Sequence, residues 1–227
     1  MRRSVPRVLR WNMTFSTVLL DVDGTLVDSN DAHAHAWVEA FAKFDHDVSF
    51  ARARSLIGMG GDKLVETLTG IAPDDKHSKK LRDVRGEIFR EKWLPTVRPL
   101  RGSRDLLIRL RAEGFQYAIA SAAQEEELRP LLELADIADL VETKTSSSDV
   151  EESKPAPDII EATLAKLLMV ERSRTVMVGD TPYDAMAARE ASVAFIGVTT
   201  GGWAPEALLG AIGVYDGPFA LARQFPF

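Results

Sequence analysis

Four groups of residues in this chain have the types and spacing for chemistry on a phosphoryl group. Asp21-Val22-Asp23-Gly24-Thr25 sets two carboxylates two residues apart after a short apolar run. Side chains alternate along an extended chain, so both carboxylates can face one cleft. Gly24 permits the sharp turn that must follow. One carboxylate can attack phosphorus while the other carries the leaving group's proton; taken alone, the pair reads equally well as solvated turn aspartates. Ser121 follows the apolar run Tyr117–Ala120. Its hydroxyl can donate to a phosphoryl oxygen or simply cap the next helix. Lys154 stands in Ser153-Lys154-Pro155-Ala156-Pro157, where two prolines stiffen the chain. A rigidly held ammonium there can neutralise an attacking carboxylate and a phosphoryl oxygen together; the plainer reading is an exposed loop lysine. The last group is Gly179-Asp180-Thr181-Pro182-Tyr183-Asp184, two aspartates four apart at a helix start and therefore on one face. Asp180 could serve only as a helix cap. Grouped instead with the first motif, Asp21, Asp23, Asp180 and Asp184 offer hard oxygen ligands, which suit magnesium before zinc.

The elements between these groups would bring them together. Ser16–Leu20, Tyr117–Ala120, Leu140–Glu142, Thr175–Val178 and Ala194–Val198 are short apolar runs that read as buried strands. Helical patterns at Ser103–Glu113, Glu125–Leu134, Pro157–Leu168 and Pro182–Ala191 alternate with them. This alternation predicts an α/β fold, a doubly wound parallel sheet of the Rossmann-like kind, with ligands at the carboxyl ends of the strands. Residues 31–97 break it. Helices are expected at Asp31–Lys43, Phe50–Leu56, Asp62–Leu68 and Asp74–Trp93, forming an α-helical cap inserted into a core of residues 14–30 and 98–227. Beyond Val198, a loop at Gly201-Gly202 should lead to a short helix at Ala204–Leu209 and a weak strand at Val214–Tyr215.

Composition narrows the function. The 227 residues contain no cysteine, which removes disulfides, thiolate metal sites and a cysteine nucleophile, and fits a reducing, cytoplasmic setting. The net charge of −6, with both signs interspersed, argues against nucleic acid as a partner. No apolar run is long enough to span a membrane. Residues 1–13 carry Arg2, Arg3, Arg7 and Arg10 without an acid and read as a disordered basic tail, or as a leader to a true start at Met13.

Taken together, Asp21-x-Asp23-Gly24-Thr25, Ser121, Lys154 and Gly179-Asp180-x-x-x-Asp184 resemble the haloacid dehalogenase superfamily from Phe15 onward. The insert resembles the helical cap of its phosphoglycolate phosphatase-like and β-phosphoglucomutase-like members. That resemblance implies Asp21 as nucleophile, Asp23 as general acid/base, and Ser121 and Lys154 as holders of the transferring phosphoryl group. It implies Mg2+ supported by the late aspartates, and a small phosphorylated metabolite as substrate. A phosphatase is the first expectation, a sugar phosphomutase the alternative. One departure from the family pattern is Ala122-Ala123, where asparagine often follows the serine. Thr25 falls in the first motif and His33 at a β-phosphoglucomutase-like cap position, so both are expected at the substrate. His33 shares a helix face with Trp37. The glycine turn Ile57-Gly58-Met59-Gly60-Gly61 could dip into the site and deliver Lys63 to an anionic substrate.

Overall fold

The computed structural model of the chain describes residues 15–224. The basic tail and the alternative start at Met13 lie outside the described residues. The main sheet has six parallel strands: β1 (Thr17–Leu20), β4 (Gln116–Ala120), β5 (Lys144–Thr145), β6 (Thr175–Gly179), β7 (Ala194–Val198) and β8 (Ala211–Tyr215), in the order β5-β4-β1-β6-β7-β8. The chain leaves β1 for one side of the sheet and later returns to the other. The carboxyl end of β1 is thus the point where strand order reverses, which is where open α/β sheets bind ligands.

Both faces of the sheet are covered, and β1 shows why. Val18 and Leu20 join one apolar cluster with α5 (Ser103–Ala112), α6 (Glu125–Leu134) and α9 (Pro218–Gln224). Leu19 points into a second cluster with α7 (Asp158–Lys166) and α8 (Pro182–Glu190). A strand buried on both sides must be apolar at every position, as Thr17–Leu20 nearly is.

Four helices fall between the first and second strands of the main sheet: α1 (Asn30–Lys43), α2 (Phe50–Arg54), α3 (Gly61–Thr69) and α4 (Lys76–Ile88). The expected long helix Asp74–Trp93 is α4 followed by a π-helical turn over Phe89–Trp93. A two-stranded antiparallel ribbon, β2 (Val27–Asp28) with β3 (Arg98–Pro99), clasps the base of this helical block and was not anticipated. Neither was α9.

One expected strand moves. Leu140–Glu142 is not extended ladder; β5 begins four residues after the expected start, at Lys144. The Leu140 carbonyl accepts instead from the Tyr117 hydroxyl and from Arg111, and the chain meets β4 only when the Thr143 carbonyl accepts the Ile119 N–H. The apolar Leu140-Val141 pair signals burial of a turn rather than a strand. Near the end of the chain, the expected helix at Ala204–Leu209 shrinks to a 3-10 turn over Pro205–Ala207, and the weak strand lengthens to β8.

Candidate active site

Lys154 sits at the centre of the strand ends, with its side chain almost wholly buried. Its ammonium donates to Asp21 Oδ1 at 2.7 Å, to Asp184 Oδ1 at 2.7 Å and to the Ala120 carbonyl at 3.2 Å, which uses all three of its protons. Burial alone would lower the pKa of this amine, but the Asp184 and Asp21 carboxylates overcome that and hold it above its ordinary value. The ammonium is fixed and joins groups from three strand ends, so Lys154 is not an exposed loop lysine.

Asp21, Asp180 and Asp184 form a buried cluster in which one carboxylate oxygen of each lies within 4.8 Å of the others. Burial pushes the Asp21 carboxyl up to about 7 against the pull of Lys154, and the neighbouring Asp184 and Asp23 charges add to the rise. Asp180 is likewise raised well above the usual carboxylate range, first by burial and then by Asp184 and Asp21. Three carboxyls against one ammonium leave this cluster short of positive charge. All its donors are hard oxygens, so the residues fit a magnesium-like cation.

Each member of the cluster is fixed locally. Asp184 is the third residue of α8, and its Oδ2 accepts from the Thr181 N–H and hydroxyl in a capping box. A Cβ on Gly179 would approach Asp184 to 2.5 Å, so only glycine fits there. Asp180 accepts from Thr25 Oγ1 at 3.2 Å and from Asn30 Nδ2 at 2.8 Å. Gly24 and Gly201 lie against the same carboxylate: a Cβ would come within 2.1 Å and 1.9 Å of Asp180 Oδ2. Gly24 also has φ +69°, a second reason for glycine. Thr25 therefore supports Asp180, and it is not among the residues lining the cavity beside Asp21.

The Asp23 carboxylate is not part of the acid cluster. It faces α1 instead, accepting from the Ser29 hydroxyl and lying 2.9 Å from His33 Nε2. Burial would raise its pKa, but the His33 ring and the Ser29 hydroxyl outweigh that and hold it below the usual carboxylate value. The hydrogen bonds at the start of α1 thus hold the Asp23 side chain away from the acid cluster. Ser121 is fully buried at the end of β4, one residue from the carbonyl that binds Lys154, and its Oγ accepts from the Ala123 N–H.

The helical block closes over these groups. A cavity of about 50 Å³ beside Asp21 and Asp23 is lined by His33, Trp37, Ile57, Met59 and Arg85, among others. His33 faces the cavity, and its ring stacks on Phe89 at 3.9 Å between centroids. The glycine turn does reach the site: the Gly60 N–H donates to the Lys154 carbonyl, and Gly58 and Gly60 lie too close to Thr181 and Ser153 for any side chain. Lys63, however, does not reach the cavity. Its ammonium binds the Ser153 carbonyl at 2.9 Å and Glu152 at 2.8 Å. The rigid glycine turn sets α3 against the loop that carries Lys154, and two nearby acceptors capture the lysine there.

Sequence reasoning passed over Asn30, Gly201, Arg85 and Glu127. Glu127, fully buried on α6, accepts two hydrogen bonds from Arg85 Nη1 on α4, at 2.9 and 2.8 Å. In the sequence it is the last of three glutamates opening a helix, which ordinarily face solvent. Asn30 looks like a residue of a helix start, and no local pattern marks Arg85 among its basic neighbours.

A buried carboxylate at the switch point of a parallel sheet, held by a buried lysine beside further aspartates, stands where α/β folds of this kind bind their ligands. The sequence profile of the haloacid dehalogenase-like hydrolases matches residues 18–198, and the chain belongs to that family. It is 30% identical over 187 residues, 82% of each chain, to a protein provisionally named pyrophosphatase PpaX from Caldanaerobacter subterraneus subsp. tengcongensis. It is 29% identical over 210 residues to a phosphoglycolate phosphatase from Rhodospirillum rubrum, covering 88% of this chain and 86% of that one. The crystal structure of a hydrolase from Pseudomonas syringae superposes with a TM-score of 0.86 at 26% identity, over 92% of this chain and 97% of the other.

Proposed function

We propose that this protein is a magnesium-dependent phosphatase that hydrolyses a small phosphomonoester through phosphorylated Asp21. The observation that carries this reading is the Lys154 ammonium, which touches Asp21 at 2.7 Å and is itself braced by Asp184. A carboxylate and a phosphate dianion repel each other, and a fixed positive charge beside the nucleophile offsets that repulsion. The names of the two relatives, a pyrophosphatase and a phosphoglycolate phosphatase, agree with it.

In the first half-reaction, an Asp21 oxygen forms a bond to phosphorus as the bond to the leaving oxygen breaks. Asp23, which must carry a proton in this half against the Ser29 and His33 contacts, gives it to that oxygen. In the second, ionised Asp23 takes a proton from water, whose oxygen attacks phosphorus and releases inorganic phosphate with the Asp21 carboxylate restored. The Ser29 and His33 contacts favour the ionised form of Asp23, which the second half needs. Ser121 and Lys154 are read as holding the phosphoryl oxygens. Magnesium held by Asp21, Asp180 and Asp184 would neutralise phosphoryl charge when bound. We read residues 31–97 as a cap over this site and residues 14–30 with 98–227 as the core; the ribbon of β2 with β3 at their junction supports this division.

The test is to supply phosphomonoesters with magnesium and follow inorganic phosphate. Steady release that Asp21→Asn removes is the expected result. Conversion of β-glucose 1-phosphate into glucose 6-phosphate with little free phosphate would mark a mutase instead. Halide release from 2-haloacids without any phosphatase activity would overturn the reading altogether.

A further inference from the structure

One guanidinium in the cleft has no part in the chemistry above. Arg85 spends a single nitrogen on its partners: Nη1 meets both Glu127 oxygens and stands 3.5 Å from His33 Nδ1. Its Nε is buried with no acceptor, and Nη2 makes no hydrogen bond among the described residues. We propose that the Nε/Nη2 edge of Arg85 binds a second oxyanion of the substrate, a carboxylate or a phosphate that is not transferred, while Asp21 takes the phosphoryl group. This assignment rests on the phosphatase reading and names the substrate class for it.

The free edge carries two parallel N–H donors, the arrangement that matches both oxygens of a carboxylate or phosphate. A buried donor without an acceptor is rare in a folded protein and calls for a ligand or water. The guanidinium is also held in place. Glu127 pins one end, and the Trp37 ring lies 5.0 Å from its carbon. The charge of Glu127 does not cancel the site, because Arg90 also approaches it, at 4.0 Å. Two guanidinium groups facing one carboxylate leave a positive excess.

Space agrees with this placement. A second, polar cavity of about 190 Å³ adjoins the one beside Asp21, and Arg85, Gly61 and Ala122 line both. Two of the three shared residues are small, so Arg85 is the one long, charged side chain that borders both cavities. Arg82, one turn earlier on α4, lines the outer cavity, and its Nε is also buried without an acceptor. A phosphomonoester with its phosphoryl group at Asp21 therefore meets Arg85 first and Arg82 beyond it.

The experiment compares kcat/KM for 2-phosphoglycolate and pyrophosphate with kcat/KM for 2-hydroxyethyl phosphate, a neutral match, under magnesium. Wild type should prefer at least one oxyanion-bearing substrate by about tenfold or more, and which one is preferred tells carboxylate from phosphate. Arg85→Lys keeps the charge but loses the two-donor edge, and should cut that preference by about tenfold. Glu127→Gln leaves Arg85 in place but weakens its pin. It must lower the preference too, and it decides the matter if Arg85→Lys melts before assay. A wild type that hydrolyses all three without preference overturns the role of Arg85 and leaves the phosphatase reading standing. So do variants that lose all substrates in equal proportion, since that marks a purely structural ion pair. A wild type that releases phosphate from none of the three overturns the phosphatase reading and this assignment with it.

Discussion

The two walls of the cleft are built differently. On the core wall, each reactive group is held by residues close to it in sequence or by the loops at neighbouring strand ends. Asp184 is capped by Thr181, three residues away, and Asp180 is packed under Gly24 and Gly201. On the helical wall, side chains of the inserted helices reach across to partners on the core: Arg85 of α4 to Glu127 of α6, and Lys63 of α3 to the Ser153 carbonyl. The core wall is a fixed charge array that one fold produces with few residue choices. The helical wall is a set of side-chain pairings that could change without disturbing the array. Chemistry should therefore depend on the first wall, and selectivity and fit on the second.

The largest expected effect breaks the core wall at its centre. Asp21→Asn keeps the shape but removes the nucleophile, and phosphate release should fall at least about 10⁴-fold. Phosphate assays alongside a melting curve check this, and turnover close to wild type in a folded variant would show that Asp21 is not the attacking group.

Removal of divalent metal comes next. Chelation should silence turnover, and magnesium should restore it. The same cluster predicts a pH dependence for metal binding. The Asp21 carboxyl, raised to about 7, carries its proton below that pH and gives it up above. Raising pH through this range removes the competing proton, so the gain in melting temperature from magnesium should be larger near about pH 8 than near about pH 6. In metal-free protein the sign reverses: a carboxyl with a raised folded pKa favours the folded state less as pH climbs from about 4 to about 7. An equal magnesium increment at both pH values would remove Asp21 from the metal site.

A smaller effect is expected at Asn30, which donates to Asp180 Oδ2 at 2.8 Å. Asn30→Ala takes away a group that favours ionised Asp180, and should weaken magnesium binding by about tenfold while leaving saturated turnover near its original level. Titration of activity with magnesium separates the two. A fall in saturated turnover with unchanged magnesium demand would place Asn30 in the chemistry rather than in the metal support.

The contrast between the walls also explains what could be read from the chain before any coordinates. The alternation of apolar strands and helices, and the polar residues that end those strands, made the sheet, the site at its switch point and the grouping of Asp21, Lys154, Asp180 and Asp184 legible. These depend on local periodicity and on strand ends. The direction of the Asp23 side chain was not legible, because it is decided by Ser29 and His33 on a helix packed against it. Neither was the fate of Lys63. A lysine beside a glycine turn looks the same in sequence whether it meets a ligand or a carbonyl 90 residues away.

Lys63 gives the smallest effect and the sharpest test of the comparison. Its ion pair with Glu152 is well exposed, with 25% and 62% of the two side chains accessible, so it contributes well under about 1 kcal/mol. The bond to the buried-side carbonyl of Ser153 adds a contribution of the ordinary hydrogen-bond size. Lys63→Ala should therefore lower the melting temperature by only about 2–4 °C in a chain of this length. The Gly60 bond to Lys154 and the pair of Asp62 with Ser153 persist in the variant, so the glycine turn should stay seated. Substrate ranking should then be unchanged, with any loss shared evenly across phosphomonoesters. A reordering that selectively penalises anionic substrates would mean that Lys63 leaves Glu152 for the ligand during turnover. In that case α3, and not α4 alone, would contribute to substrate selection on the helical wall.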